Sequence, residues 1–365
     1  MRVRPESLDF LRRLLDTPSP SGFEHEGQRV WLAYVKPFAD RVWHDAYGNC
    51  FAELCPPQGA QGAPTVAVMG HADEIGLMVN HIDAQGFVYC RAIGGIDAGA
   101  IVGHRVQFRS SVPGVTAPVV GLIGATAVHL KDKDADKVRK VHELFIDIGA
   151  ADQAAAQAKL RIGDPGVLME GSLLMGDGMI VARALDNRIG TFVAAETLRL
   201  LAATRASLKV RVVAVSTVQE EVGLHGATMV AESLRPHVAL VTDVGHATDS
   251  PGISAAQHGQ FKMGAGPKIA VGGAMQPQVV ERLIAAADAA SIPLQRSATP
   301  GRSGTDTDAV FLRAGGIPSG LLSLPIRYMH TPVELASLKD LEQIPQVFAG
   351  FAGALTGRER FAPEL

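Results

Sequence analysis

The residues best suited to chemistry are two adjacent glutamates, Glu220 and Glu221, in the segment VSTVQEEVGLHGA. They follow the run KVRVVAVST, whose β-branched and apolar residues predict a fully buried strand. Two ionised carboxylates side by side repel each other and raise the pKa of one of them unless a cation is near. Because neighbouring side chains leave an extended backbone in opposite directions, one glutamate could bind a metal while the other faces a substrate or a water. The alternative is a solvated loop with two surface acids.

Other predicted strands also end on residues of the types that bind metals. His71 follows the apolar run APTVAVMG, Asp243 closes the run HVALVTD, and His330 lies shortly after PSGLLSLP. Asp186, in the segment ALDNR, stands at the entrance to a helix rich in Ala and Leu. Histidine and carboxylate side chains form a nitrogen and oxygen ligand set that suits zinc, cobalt or manganese. One zinc ion needs fewer ligands, and two ions about 3.5–4 Å apart that share a carboxylate would use them all.

The order of the apolar runs predicts the scaffold that positions these residues. An amphipathic helix opens the chain, with Ser7 as its N-cap and with apolar residues at helical spacing, Leu8, Leu11, Leu14 and Leu15. Beyond about residue 165, strands and helices alternate, which favours a sheet with helices on both faces. Such sheets bind ligands beyond the carboxyl ends of their strands. We therefore expect an α/β fold with a mixed sheet flanked by helices.

A different pattern interrupts this alternation between about Asn80 and Gly163. Short alternating segments such as GFVYCRAI, HRVQFRS, APVVGLIGA and ELFIDIGA are separated by turn residues and by the charged run KDKDADKVRK. Closely spaced short strands of this kind predict a small, barrel-like β-domain. The sequence thus predicts a catalytic domain in two parts, residues 1–72 and 165–365, split by a β-rich insert at residues 73–164.

Composition excludes several classes of protein. Hydrophobic residues make up 47% of the 365 residues and charged residues 19%, which allows a large core in a soluble globular protein. The formal net charge of −3 gives no reason to expect nucleic acid or a membrane as a partner. Three cysteines without metal-type clustering fit free thiols in a reducing compartment. The charged N-terminus is unlike a signal peptide, and no apolar run is long enough to span a membrane, so we expect a cytoplasmic protein.

Five motifs resemble, in the same order, those of the tetrahedral-aminopeptidase family, which includes glutamyl and deblocking aminopeptidases. They are GHADEIGLMV, ALDNRIG, VQEEVG, DVGHA and RYMHTPVE, and the likeness extends to DAYGN near the start and ELFIDIGA before the second part of the catalytic domain. Members of this family are dimetal exopeptidases. The resemblance implies a metal-dependent aminopeptidase that hydrolyses the N-terminal peptide bond of short peptides.

The resemblance also implies two divalent metal ions per subunit, with zinc preferred over cobalt or manganese. It assigns the first ion to His71, Asp186 and Asp243. It assigns the second ion to Asp186, Glu221 and His330, so that Asp186 bridges the two.

Two further roles follow from the same resemblance. Glu220 is the general base that deprotonates the attacking water and later protonates the leaving amine. Asp73 hydrogen-bonds His71 and fixes the orientation of its ring. The family also implies a cis peptide bond between Asp186 and Asn187.

The implied substrate is a short peptide whose free α-amine lies beside the metals and their carboxylates. Arg302 and Arg327 are candidates to bind an acidic substrate side chain or carboxylate, with a structural salt bridge as the alternative. His246 is a candidate to line the site. The resemblance further implies a homododecamer built from dimers that form partly through the insert, with active sites facing an interior chamber.

Three other functions remain open. A deacylase or another amide hydrolase could use the same metals. A glycoside hydrolase could use Glu220 and a second carboxylate as acid and base, and some members of the family are labelled endoglucanases. Its histidines would then have no role, however, and aromatic residues, which usually stack on sugars, make up only 5% of the chain. The third alternative is a non-catalytic protein that has kept the fold.

Neighbouring acidic residues have less specific interpretations. Glu74 is expected either to support the site or to lie on the surface. Glu334 is interpreted as an acid at a helix N-terminus. Asp306 and Asp308 are expected to shape the turn before a helix rather than to bind metal.

Overall fold

The computed structural model describes residues 3–126, 129 and 140–363. The charged run KDKDADKVRK lies outside these residues, apart from its last lysine. The helices are α1 (Pro5–Asp16), α2 (His25–Val35), α3 (Ala98–Ile101), α4 (Gln153–Gln157), α5 (Leu185–Ala203), α6 (His225–Leu234), α7 (Ala255–His258), α8 (Pro277–Ala289), α9 (Thr307–Val310) and α10 (Leu338–Gly353). Among the residues so described, no helix combines the length and apolar character that crossing a membrane requires.

The strands form one large sheet and one closed barrel. They are β1 (Arg41–His44), β2 (Cys50–Leu54), β3 (Thr65–His71), β4 (Gly76–Ile82), β5 (Val88–Ile93), β6 (Arg105–Phe108), β7 (Val119–Gly124), β8 (Phe145–Asp147), β9 (Pro165–Leu168), β10 (Leu173–Met175), β11 (Met179–Ala182), β12 (Arg211–Thr217), β13 (Val238–His246), β14 (Lys268–Gly272), β15 (Gln295–Thr299), β16 (Ser319–Arg327) and β17 (Glu334–Ser337).

The large sheet is mixed, as predicted. It has 11 strands in the order β1-β2-β12-β3-β13-β16-β17-β11-β10, and β14 branches from β16 to pair with β15. The four central strands, β12, β3, β13 and β16, run parallel, whereas β2 and β17 flank them antiparallel. Because parallel neighbours end at the same edge of a sheet, residues after these four strands are brought close together.

Helix α5 lies across the centre of this sheet and packs on β3, β12 and β13. Its outer side is covered by α1, α2 and α10, while α6 packs on β12 and α9 on β16. Residues 189–195 of α5 are buried, and β3 and β12 are buried along almost their whole length. The continuous apolar runs of the sequence therefore correspond to strands covered by helices, which confirms the predicted α/β class.

Helix α1 begins earlier than the sequence predicted. Its first residue is Pro5, a residue type whose fixed φ angle and missing N–H suit the first helical position. Ser7 is therefore inside the helix and does not cap it. The Ser7 side chain is buried, and its hydroxyl donates to the carboxylate of Glu196 on α5 at 3.0 Å.

The insert is a closed barrel of six strands in the order β4-β5-β8-β7-β6-β9. Its interior is a hydrophobic cluster separate from the main core, with Val88, Val106 and Phe108 fully buried. The last strand, β9, lies just past the expected boundary at residue 164 and pairs with both β4 and β6. The predicted barrel-like insert is thus present, and it joins the sheet directly after β3.

Candidate metal centre

The residues that the sequence singled out as ligands lie at the carboxyl edge of the four parallel strands. His71 is the last residue of β3, Asp243 lies within β13, and Glu221 follows β12. His330 follows β16, and Asp186 lies in the first turn of α5, the helix that crosses these strands. The topology of the sheet therefore brings together residues that are far apart in the chain.

One cluster surrounds the ring of His71. Its Nε2 atom lies 3.3 Å from Oδ1 of Asp186, 3.6 Å from Oε2 of Glu220 and 3.8 Å from Oδ1 of Asp243. His71 is buried, and Asp186 and Asp243 are less than a tenth exposed. One nitrogen and three carboxylate oxygens thus lie close together, and those of His71, Asp186 and Asp243 are within 4.8 Å of one another.

A second cluster surrounds the ring of His330. Its Nε2 atom lies 3.3 Å from Oδ2 of Asp186 and 3.6 Å from Oε2 of Glu221. Asp186 therefore turns one carboxylate oxygen toward His71 and the other toward His330. A carboxylate placed in this way can bridge two cations.

The residues present fit a divalent metal. Three groups of three residues have ligand atoms within 4.8 Å of one another: His71, Asp186 and Asp243; His71, Glu220 and Glu221; and Asp186, Glu221 and His330. Oε1 of Glu221 is buried and has no hydrogen-bond partner among the described residues. A buried carboxylate oxygen without a donor is costly, and coordination of a cation would satisfy it.

Electrostatics point to the same conclusion. Burial and the nearby Asp186 raise the pKa of Glu221 to about 10, and burial with the nearby Asp306 raises that of Glu220 to about 8. Burial also raises the pKa of Asp243 well above its usual range. Burial opposes the ionisation of Asp186 too, but its two histidine neighbours outweigh burial and hold its pKa low. The two histidines supply too little positive charge to balance the negative charge of these carboxyl groups when they are ionised. Bound divalent cations would supply it.

Asp73 links the histidine of the first cluster to the glutamate pair. Its Oδ1 atom lies 3.3 Å from Nδ1 of His71 and accepts from the backbone N–H of Glu220 at 3.0 Å. Its Oδ2 atom accepts from the N–H of Glu221 at 3.1 Å and from the hydroxyl of Ser21 at 2.7 Å. Asp73 is fully buried, so this carboxylate fixes both the ring of His71 and the loop after β12.

Glu334 has a role that the sequence interpretation missed. It does not stand at a helix N-terminus but begins β17, where it is buried. Its Oε2 accepts from the backbone N–H of Asp186 at 3.0 Å, and its Oε1 accepts from that of His330 at 2.9 Å. One carboxylate thus holds the backbone of two candidate ligands. The sequence signal was its position four residues after His330, in the motif RYMHTPVE.

Two glycines allow α5 to approach β3 closely enough to present Asp186. A Cβ atom at Gly70 would lie 2.3 Å from the backbone carbon of Gly190. The Asn187 side chain accepts from the Gly190 N–H at 2.9 Å and donates to the Thr242 carbonyl at 3.0 Å. The peptide bond between Asp186 and Asn187 is cis, as the family resemblance implied.

The candidate ligands form one end of a cavity of about 380 Å³. His246, predicted to line the site, does so and is exposed. Arg302 and Arg327 are not among the residues that line this cavity. Arg327 pairs with Asp249 at 2.8 Å, and Arg302 is 83% exposed and lies 3.6 Å from Asp308. Their proposed contact with substrate stays a prediction.

Lys268, which no sequence motif marks as a site residue, also lines the cavity. It is the first residue of β14, and the run PKIAVGG places a lysine at the start of an otherwise apolar strand. That break in an apolar run was the available signal.

The remaining acidic candidates are structural. Glu74 is buried and pairs with Arg183 at 3.0 Å and Arg188 at 2.7 Å, so the surface interpretation was wrong. Asp306 accepts from the hydroxyl of Thr217 at 2.6 Å, and Asp308 accepts from the backbone N–H groups at residues 303 and 304. Both shape the segment before α9, as the sequence indicated.

Comparisons with known proteins identify the family of the chain. The family model described as M42 glutamyl aminopeptidase matches residues 48–347. Lysyl aminopeptidase of Pyrococcus furiosus is 30% identical over 340 residues, which cover 92% of this chain and 93% of that protein.

Solved structures share the whole fold. The TET aminopeptidase of the marine sediment archaeon Thaumarchaeota archaeon SCGC AB-539-E09 has a TM-score of 0.89 and 31% identity, covering 96% of this chain and 98% of that one. The TET1 peptidase of Pyrococcus horikoshii, which can assemble into a tetrahedron or a large octahedral shell, has a TM-score of 0.82 and 29% identity over 96% and 100% of the two chains. The family match covers most of the chain, and the chain belongs to the M42 aminopeptidase family.

Proposed function

We propose that this aminopeptidase uses two divalent metal ions to remove the N-terminal residue of short peptides. The observation that carries the proposal is the position of Asp186, whose two carboxylate oxygens lie 3.3 Å from the Nε2 atoms of His71 and His330. Each histidine has a further carboxylate beside it, Asp243 in one case and Glu221 in the other. Zinc is the first candidate for both ions, with cobalt or manganese as alternatives that the same ligands accept.

The residues divide into ligands and one proton carrier. When bound, two divalent ions would polarise the scissile carbonyl group and ease the ionisation of a water. Glu220 is the carboxylate outside both proposed ligand sets. Its oxygen lies 3.6 Å from Nε2 of His71, beside the first cluster and on the wall of the cavity. We assign it the role of taking a proton from the attacking water and delivering it to the departing amine.

Environment supports this role for Glu220. Glu220 is buried, and in the metal-free protein burial raises its pKa to about 8. Bound cations would lower that pKa, so that Glu220 would be an ionised carboxylate able to accept a proton from the attacking water. Asp73 fixes the backbone of Glu220 by accepting from its N–H, so the loop that carries the base cannot easily move away from His71.

The polar groups at this end of the cavity suit a free N-terminus. An unprotonated α-amine could bind beside the proposed metals and their carboxylates, whereas an acylated nitrogen is a poor ligand and is blocked by its acyl group. A cavity of about 380 Å³ suits one residue and its neighbour rather than a folded chain. Short peptides are therefore the proposed substrates.

We also propose that the chain acts as a homododecamer built from dimers. The assembly of the related Pyrococcus horikoshii peptidase supports a large closed shell. Active sites inside such a shell would be reached only by short or unfolded peptides.

The test is hydrolysis of aminoacyl-anilides with free and acetylated α-amines, by metal-stripped protein and by protein restored with zinc, cobalt or manganese. We expect turnover only of free amines and only with metal. Glu220→Gln should lower kcat by at least about 100-fold, the usual contribution of a general base, while the bound metal content stays unchanged. Glu232→Gln, a half-exposed residue of α6, is the control and should not change the rate.

Two results would contradict the proposal. Turnover of acetylated substrates would indicate a deacylase or deblocking enzyme. Metal-independent cleavage of a glucan would favour the glycoside hydrolase alternative.

A further inference from the structure

The loop after β12 carries the glutamate pair and is held by side chains from earlier parts of the chain. Its four successive backbone N–H groups, at residues 218–221, each donate to a side-chain oxygen. Asn49 accepts the first of these hydrogen bonds at 3.0 Å, and the carboxylate of Asp73 accepts the last two. The second, from the N–H of Gln219, is accepted by Oε1 of Glu24 at 3.1 Å. The course of this loop is therefore set by acceptors outside it.

Glu24 stands at the beginning of α2, where an acidic side chain ordinarily stabilises the helix through its first N–H groups. Its backbone is at the N-cap position, but its side chain makes no capping hydrogen bond. Instead the residue is buried, and its Oε1 atom also accepts from the N–H of Gly22 at 2.7 Å. Gln28, one turn later on the same face, donates to the carbonyl of Ser216 at 2.9 Å. This face of α2 therefore contacts β12 and the loop after it.

The residue that Glu24 holds has an unfavourable backbone conformation. Gln219 has a φ angle of 56°, in the left-handed region that glycine adopts readily and most other residues avoid. The turn that follows is closed by the carbonyl group of Glu220, which accepts from the N–H groups of residues 223 and 224 at 2.9 Å. A left-handed residue persists only where its surroundings hold it in place. Glu24 supplies such a hold by accepting from the N–H of Gln219.

Directly after this left-handed residue, the two glutamates face different clusters. Oε2 of Glu220 lies 3.6 Å from Nε2 of His71, and Oε2 of Glu221 lies 3.6 Å from Nε2 of His330. If Gln219 relaxed to an ordinary φ angle, the backbone before Glu220 would rotate and carry its carboxylate away from His71. A proton carrier must lie within hydrogen-bond reach of the water that it deprotonates, so a small displacement of Glu220 would slow the proposed reaction.

We propose that Glu24 is a positioning residue of this site, which holds Gln219 in the left-handed conformation that directs Glu220 toward the first cluster. The inference rests on the proposed aminopeptidase function and deepens it. Glu24 is not among the residues that line the cavity, so it acts through the backbone of the loop rather than on the substrate.

Three variants of the metal-loaded protein separate the reach of this side chain from its charge. Glu24→Ala removes the acceptor, and Glu24→Asp keeps the charge but ends one methylene short. Both should lower kcat for a free-amine anilide by about 10- to 100-fold while KM stays nearly constant, because the active conformation then leaves the Gln219 N–H without an acceptor.

Glu24→Gln keeps the length and an oxygen that can accept the same hydrogen bonds. Burial and the nearby Asp73 raise the pKa of Glu24 to about 7, so the protonated form, which glutamine resembles, is already populated at neutral pH. This variant should therefore keep kcat close to the wild-type value. Glu26→Gln, which changes a half-exposed residue of α2, is the control and should not change kcat.

A second substitution tests the backbone conformation itself. Glycine adopts a positive φ angle without strain, so Gln219→Gly should raise kcat roughly fivefold or more in the Glu24→Ala background. This gain should be absent when Gln219→Gly is made in the wild type or in Glu220→Gln, which lacks the proton carrier. If Glu24 served only the stability of the fold, its loss would lower the melting temperature, and glycine at residue 219 would not restore kcat. No recovery in the Glu24→Ala background would therefore contradict the assignment.

Hydrogen–deuterium exchange of the metal-free protein gives a readout that does not depend on activity. We expect the peptide that covers residues 217–224 to exchange faster in Glu24→Ala than in the wild type, and at the wild-type rate in Glu24→Gln. Unchanged exchange in Glu24→Ala, or faster exchange with unchanged kcat, would overturn the role of Glu24. If the wild type hydrolyses no free-amine substrate, the aminopeptidase proposal fails and this role fails with it, whereas a wild type with turnover confines the failure to Glu24.

Discussion

The carboxyl groups of the candidate metal centre should give the metal-free protein a distinct response to pH. Burial raises the pKa of Glu220 to about 8 and that of Glu221 to about 10, and it raises that of Asp243 as well. Burial opposes a proton on His71, but Glu220, Asp186 and Asp73 outweigh it, so its pKa is also raised. At neutral pH the metal-free site therefore holds protons that a bound cation must displace.

Metal affinity should therefore rise with pH between about 6 and 8.5, and metal binding should release protons. A carboxyl group whose pKa is raised by folding destabilises the folded protein once the pH exceeds the pKa that the group has in the unfolded chain. A histidine whose pKa is raised by folding stabilises the folded protein at low pH, and this contribution is lost as the pH rises through its pKa in the folded protein. Both effects destabilise the metal-free protein toward alkaline pH, so manganese or cobalt should raise the melting temperature more at pH 8.5 than at pH 6.

Calorimetric titration in two buffers of different ionisation enthalpy would count the released protons, and a thermal melt with and without chelator would measure the stabilisation. Asp249→Asn, which removes an acid paired with Arg327 away from the ligands, is the control and should leave proton release unchanged. A metal affinity that is independent of pH would contradict the prediction.

At the scale of elements, the contact between β3 and α5 determines where the shared ligand lies. Gly70 on β3 and Gly190 on α5 face each other, and a Cβ at Gly70 would come within 2.7 Å of three backbone atoms of Gly190. Neither backbone can move without shifting His71, the next residue on β3, or Asp186, four residues earlier on α5.

We therefore expect Gly70→Ala to lower the free energy of unfolding by about 1–3 kcal/mol, the usual cost of overpacking. It should also weaken metal binding, because it moves His71 and Asp186 apart. Chemical denaturation and metal titration would measure the two effects. Gly353→Ala, in α10, is the matched control: a Cβ there meets nothing within 4 Å, so stability should not fall. Unchanged metal affinity in Gly70→Ala would show that this contact does not position the site.

The same elements explain what the sequence could predict. Continuous apolar runs identified β3, β12 and β13, and the ligand types directly after them placed the site at the sheet edge. Lys268 escaped notice because β14 reaches the cavity only by pairing with β16, some 50 residues later in the chain. The role of Glu334 was interpreted wrongly because its partners are backbone N–H groups of Asp186 and His330, which no side-chain pattern reveals.

At the scale of the whole molecule, exposed apolar side chains on two strands of the described residues are candidates for contact with another chain. On the outer face of the barrel, Val120 and Leu122 of β7 are 44% and 56% exposed. At the edge of the large sheet, all three residues of β10 are exposed, and among the strands that the structure describes it pairs only with β11. Exposed apolar residues on a sheet edge favour contact with another chain. A closed shell built from dimers needs two different contacts, and the molecule offers two such surfaces.

We expect light scattering during size-exclusion chromatography to give a particle of twelve chains of 38.4 kDa, about 460 kDa. Leu122→Lys places a charge on the barrel surface and should abolish the dimer contact, so that particles smaller than the dodecamer appear. Leu174→Lys, on the sheet edge, should leave that contact intact and stop assembly at dimers. Lys262→Gln, which changes a residue on neither surface, should assemble like the wild type.

Because the candidate metal centre and the cavity lie within one chain, both assembly variants should still hydrolyse a small anilide. They should also degrade longer unfolded peptides that the closed shell excludes. If both lysine variants form the same particle as the wild type, these two surfaces are not the contacts that build it.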